Sequence, residues 1–567
     1  MIPPSLRSAA LLPLALLAAA LPAAAGTLYV NAGLGSGNDD GSSWADAFRG
    51  PEGLQDALAA AVSGDQIFVA AGRYLPTATA TRTISFALKN GVAIYGSFLG
   101  NETSPAERPP IGTNWSILDG DLLGNDASGA LGDNSFHLLT AAGTNASALL
   151  DGFTVRGGNA NGAGGNNDRG GGILIVSAVS PTIRNCLFTD NRCTFGGAAG
   201  YINNGGAPAF SACTFQNGQG GSFGGAFDIA GGGAVRFDRC IFRNNTAGRA
   251  GALEIFASTG PQVTNCLFVG NTATSATGGG GGVWVGTGGN PVLRNCTIVG
   301  NFSTSQAVAG LRNQNAPAAT VANCILYDNV GPAGAQGAGN QANTGTNITY
   351  SLVEGGYAGT GNSSADPLFV APLSGDFRLG AGSPGIDAGN NNAVPAGILL
   401  DLAGQPRFQD LPAAPDTGLG QAPLVDLGAF EALPPAFVAR PGCFGNTAQL
   451  SSPSPALAVG QPASLSLSAG LYPTGLALFY LGLDGSDPAG CGLPLAGLGE
   501  LLLTLAPAPT LLGSAPTAAG QSSFLLLVPA TPVLAGKAVA FQAANVDLLG
   551  AGNPVELSNS LLATIAP

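Results

Sequence analysis

The 567-residue chain carries 89 glycines, only 9% charged residues and a formal net charge of −13. With lysine only at Lys89 and Lys537, it lacks the clustered cations that a nucleic-acid partner requires. A hydrophobic content of 45% argues against disorder. What remains is a β-rich chain of short strands, joined by turns where Gly and Asn supply positive φ.

Residues 1–25 read as an export leader, with Arg7 as the positive region, Ala9 to Ala20 as the apolar stretch and Ala23-Ala24-Ala25 before Gly26 as the small-residue cleavage site. The expected location is extracellular or at the cell surface, with no membrane span in the mature chain. Residues 26–145 form an N-terminal cap and first coils. Thr27–Val30 and Asp65–Val69 predict strands, and Gly53–Val62 predicts a short amphipathic helix between them. A helix there would cover the open end of a repeat stack. The single histidine, His137, is expected to be structural, because a lone imidazole lacks an orienting partner.

An internal repeat fills residues 146–360. A phrase of the type NCxFxxN places cysteines at 186, 213, 240, 266, 296 and 324, and a glycine-rich GGA phrase stands between successive copies. Each period holds three strand-length runs, in the first full copy Gly172–Val176, Pro181–Arg184 and Cys186–Thr189. Three short strands per period, stacked at the β spacing, predict an all-β fold: a parallel β-helix. The cysteines and Phe188, Phe215, Phe242 and Phe268 then form interior columns, and the asparagines stand at left-handed corners where their side-chain amides can hydrogen-bond from coil to coil. The six thiols could pair or bind metal, but without CxxC or histidine partners they fit a buried column better. Cys193 stands outside it.

The GGA strands carry the candidate site residues. Asp228 and Glu254 each lie three residues after the aligned glycines Gly225 and Gly251, so stacking superposes their carboxylates. Such a pair could perform acid–base chemistry or share calcium, or could be an outward, solvated pair of no special role. Arg249 is near them, Trp284 follows one coil on as a sugar platform or core residue, and Arg312 lies two coils beyond Glu254. Asp39-Asp40, in the cap, is the only adjacent acidic pair before the C-terminal domain.

The GGA and FxxN phrases resemble the repeats of chlamydial-type polymorphic outer-membrane proteins and, more broadly, the right-handed parallel β-helix (pectate-lyase-like) superfamily. That resemblance implies a right-handed solenoid. Its lyase members hold calcium with carboxylates and use an arginine base, whereas the NTD and DD phrases of polygalacturonase-like members are missing from the repeats. Residues 361–435, with Asp366-Pro-Leu-Phe369, Ser383-Pro-Gly-Ile-Asp-Ala-Gly389, Asp401-Leu-Ala-Gly404 and Val425-Asp-Leu-Gly-Ala-Phe-Glu431, resemble the choice-of-anchor Q segment of surface β-helix proteins, which implies C-terminal coils or a cap.

Residues 436–567 predict a separate β-rich domain, sandwich-like, in which Cys443 and Cys491 are expected to pair in an oxidising compartment. The function expected is that of a monomeric, non-catalytic β-helix protein at a bacterial surface, serving adhesion, matrix or glycan binding. The alternative is a polysaccharide lyase or glycoside hydrolase working on the GGA face. No cofactor is expected beyond a calcium ion at Asp228 and Glu254.

Overall fold

The computed structural model describes residues 25–432, apart from 277, 307, 315–318, 335, 336 and 413, and the strand backbones within 433–567. The chain divides into two units, Met1–Ala432 and Leu433–Pro567. The expected leader, up to residue 24, and the expected pairing of Cys443 with Cys491 lie outside the described residues.

Within the first unit each repeat closes one coil of a parallel β-helix. In the first full copy its strands are Ile173–Ile175, Thr182–Arg184 and Leu187–Thr189. Equivalent strands of successive coils pair in parallel, giving sheets of 8, 12 and 10 strands that correspond to those three positions. A further short ribbon was not announced by the repeat: Thr246–Ala247, Thr272–Ala273 and Phe302–Ser303 also stack in parallel.

Two backbone corners per coil make the closure possible. The residue before each of the six column cysteines is left-handed, as at Asn185 (φ 53°), Arg239 (φ 52°) and Asn295 (φ 51°). So is the residue five positions later, as at Asp190 (φ 56°), Asn244 (φ 55°) and Gly300 (φ 60°). Asparagine, aspartate and glycine suit these sites because they tolerate that region best.

The asparagines that close each phrase are not the left-handed residues, but they make the coil-to-coil amide bonds expected of the asparagine columns. Asn245, Asn271, Asn301 and Asn329 are fully buried. Each of the first three donates through Nδ2 to Oδ1 of the next coil's asparagine at 2.9 Å. The same amides also donate to Phe215, Phe242 and Phe268 carbonyls, so the ladder is satisfied inside a dry core. The corner and the ladder are thus two separate columns.

The interior is apolar as the repeat requires. Phe188, Phe215, Phe242 and Phe268 stack with successive centroid distances of 5.2, 5.1 and 4.5 Å. The six column cysteines are buried free thiols, each directed at a carbonyl of the preceding coil, as Cys296 Sγ is at Val263 O (3.4 Å). Burial pushes the thiols of Cys186, Cys213, Cys266 and Cys324 well up, so they pack as small hydrophobes. Cys193 is buried beside Ala160 and Ala198, outside the column, and is pushed up to about 12.

At the N-terminal end a helix, Gly53–Ala60, buries Leu54, Ala57 and Leu58 over the first coil. Lys89 Nζ closes its C-terminus by donating to the Leu58 and Ala61 carbonyls at 2.8 and 2.6 Å, where a cation is favoured.

The residues after 363 do not continue the stack as coils. They return along the outer face of the sheet that carries Leu187–Thr189. Phe377 packs with Leu267 and Val299, and Leu379, Ile386 and Leu427 pack with Ile325 and Leu352. Asn265 Nδ2 donates to Leu400 O at 3.0 Å and Ala429 N to Thr297 Oγ1 at 3.0 Å. The apolar outward residues of those coils, Ile241, Leu267, Val299 and Ile325, supply the surface that this segment covers. Its phrases hold it together around Arg407, fully buried and 2.9 Å from Glu431. Arg407 also donates to the Asp426 and Gly428 carbonyls.

The second unit is antiparallel throughout its described pairings. It has a five-stranded sheet, a three-stranded sheet and a two-stranded hairpin.

Candidate functional site

Period-two alternation on the GGA strands sends Phe227, Ile229, Leu253 and Ile255 inward, all fully buried. The residue between them points to the opposite face. Register places Leu174, Tyr201, Asp228, Glu254, Trp284 and Arg312 above one another in six consecutive coils. Asp228 and Glu254 are therefore direct neighbours, as their spacing implied.

This outward column is not solvated. Tyr201, Asp228, Glu254 and Trp284 are each at most 2% exposed. A second column lies over them, formed by the residue just before each Gly-Gly or Ala-Gly turn: Arg169, Phe195, Phe223 and Arg249. The Arg169 guanidinium stacks on Phe195 at 4.1 Å, Phe195 meets Phe223 edge-on at 4.7 Å, and Arg249 stacks on Phe223 at 4.2 Å. Arg249 also lies 4.3 Å from the Trp284 ring, so its charge is held between two aromatic faces. Glycine at the turns leaves room for this arrangement. A Cβ on Gly196 would stand 2.3 Å from Asp228 Oδ2.

The electrostatics follow from this covering. Arg249 donates to Glu254 Oε1 from Nε at 3.1 Å and from Nη2 at 2.5 Å. Burial pushes Asp228 up to about 8, reinforced by Glu254, and pushes Glu254 up to about 7 against the pull of Arg249. Glu254 is the member of the pair with a cation, so it is the one that ionises, and Asp228 keeps its proton near neutrality. Glu254 Oε2, Trp284 Nε1 and Arg312 Nη1 are buried without hydrogen-bond partners.

The fold of the repeats is matched by a family model described as a right handed beta helix region, over residues 149–280 and 202–369. The solenoid is a right-handed β-helix. No curated protein matches the chain.

On this β-helix the geometry tests each candidate residue. Asp228, Glu254, Arg249, Trp284 and Arg312 come together as one cluster. The solvated pair weighed for Asp228 and Glu254 is corrected: the overlying ladder removes both from water. The arrangement does not favour calcium there, because Arg249 donates to Glu254 Oε1 and burial raises Asp228 toward its neutral form. Trp284 is buried with its ring against Arg249, and offers no open sugar platform. His137 is buried, its Nδ1 3.0 Å from Gly170 O, and burial lowers its pKa. Asp39 sits in the cap, paired with Arg49 at 3.4 Å.

Phe195, Phe223 and Arg169 were missed in the sequence, although each precedes a Gly-Gly pair at the same place in its repeat. Three concavities lie away from the cluster. One of them, about 470 Å³, is beside the short ribbon and lined by Asn159, Asn161, Arg192, Cys193 and Gln219 among others. No helix among the described residues is long and apolar enough to cross a membrane.

Proposed function

We propose that this β-helix is a non-catalytic protein exported to a bacterial surface or matrix, whose lateral faces serve adhesion or glycan binding. One observation carries the reading: the acidic pair on the GGA face is sealed under the Arg169–Phe195–Phe223–Arg249 ladder, where no polysaccharide chain reaches it. General acid–base work needs the carboxyl within hydrogen-bond reach of substrate, and a glycosidase pair must flank the scissile bond. Asp228 and Glu254 serve instead as interior polar groups that order the ladder. The leader-like residues 1–25 support export, and the acidic balance favours a neutral glycan or envelope component over a polyanion.

The test is a panel on the full mature chain. Retention on a neutral-glycan array, with neither unsaturated product nor reducing sugar from pectate, alginate or neutral glycans, is the expected result. Turnover that disappears in Asp228→Asn would instead establish the lyase or hydrolase reading.

A further inference from the structure

The segment that returns along the β-helix contains a second acidic cluster, built differently from the first. Asp387, Asp410 and Asp416 each offer a carboxylate oxygen, and these oxygens lie within 4.8 Å of one another. Asp410 and Asp416 are exposed, but Asp387 is fully buried. Neither oxygen of Asp387 has a hydrogen-bond partner.

Asp387 is held in place from both sides. Its N–H donates to Asp426 Oδ1 at 2.8 Å, and its carbonyl accepts from the Thr417 and Gly418 N–H groups, both at 3.0 Å. The backbone is left-handed there (φ 50°). The carboxylate is thereby fixed facing the loop that carries Asp410 and Asp416. Burial first, then those two carboxylates, raise it to about 6; only the Leu411 peptide N–H pulls the other way, and it falls outside hydrogen-bond geometry. Among the described residues none of the three aspartates forms an ion pair. The buried Arg407 of the same segment is directed to Glu431 and to the Asp426 and Gly428 carbonyls.

An uncompensated buried carboxylate is costly, and among the described residues no cation compensates this cluster. We propose that Asp387, Asp410 and Asp416 bind a calcium ion. All three donors are hard oxygens, which suits calcium and magnesium and not zinc or copper. Calcium–oxygen distances of about 2.3–2.6 Å place opposite ligands up to roughly 5 Å apart. The oxygens lie within 4.8 Å of one another, inside that span, and a partly exposed set of carboxylates suits the flexible calcium shell better than the near-ideal octahedron that magnesium demands. The ion would tie the exposed 410–416 loop to a residue anchored through Asp426 in the segment that covers the coils.

Calorimetric titration of calcium chloride into the chelator-treated full chain tests this. The wild type is expected to bind calcium and the exposed double variant Asp410→Asn/Asp416→Asn to bind it at least tenfold more weakly, with an unchanged circular dichroism spectrum. Asp387→Asn, which keeps the shape and removes the charge, is expected to lose binding likewise. Three results would overturn the assignment: no calcium heat at millimolar concentration in the wild type, undiminished binding in the double variant, or magnesium bound as tightly as calcium.

Discussion

Two buried acidic groups on one unit solve the same problem in opposite ways. Asp228 and Glu254 lie on the coil stack, and the adjacent coil positions deliver Arg249 to them, stacked between Phe223 and Trp284. Asp387 lies in the irregular covering segment, where its near neighbours Asp410 and Asp416 are acidic too. The repeat geometry can supply a counter-charge from the turn before the Glu254 strand, and strand register sets that coil directly against Asp228. The covering segment has no such lattice, and its arginines are committed elsewhere, Arg378 to Asp376 and Arg407 to Glu431. A closed, self-neutralised pair belongs to architecture; an un-neutralised carboxylate invites a ligand.

The largest effect should come from removing the internal cation. Arg249→Ala leaves Glu254 buried and unpaired and strips one face from Trp284. A loss of about 3 kcal/mol is expected by chemical denaturation. A loss below about 1 kcal/mol would show that Glu254 is neutral in the folded chain.

The next concerns pH. Burial raises Asp228 and Glu254 above their ordinary values of 3.8 and 4.5, to about 8 and 7. The folded state therefore binds more protons than the unfolded state across that range. The contribution of this pair to stability is greatest below pH 4, falls as pH rises to about 8, and is flat above it. Asp228→Asn removes its part of this loss. The variant should match the wild type at pH 4 and exceed it by about 2 kcal/mol at pH 9, measured by urea melts at both values. A variant equally stable at both would break the contrast with Asp387.

For the covering segment, saturating calcium should raise the melting temperature of the wild type and of Asp228→Asn alike, by about 2–4 °C. Asp410→Asn/Asp416→Asn should show no shift. A calcium shift that disappears in Asp228→Asn would move the ion to the coil face. The smallest effect is expected at Trp284→Phe. The indole N–H makes no hydrogen bond, so the loss should stay near 1 kcal/mol and reflect a weaker stack on Arg249.

Much of the solenoid was legible because its signals are local and repeated. The spacing of Cys186 through Cys324 fixed the period, alternation within Leu187–Thr189 fixed which residues face inward, and the column of aspartate over glutamate followed by superposition. The cap helix was visible in the amphipathic run at Gly53. The asparagine columns were harder, since Asn244 and Asn245 are the same residue type, and only backbone φ and burial separate the corner from the ladder. The covering ladder was missed because Arg169, Phe195, Phe223 and Arg249 differ in chemistry, and a column of two rings between two cations has no compositional signature.

The sequence by itself determined a β-helix, its period, its inward columns and the neighbour relation of Asp228 and Glu254, because strand register propagates a one-dimensional pattern from coil to coil. Tertiary structure alone decided that the outward column is buried, since burial there depends on side chains from a different part of each coil. It also decided that residues after 363 fold back over the stack, bringing Asp387 beside Asp410 and Asp416. Contacts between segments outside the repeat follow no period, so neither fact is written in the spacing of residues along the chain.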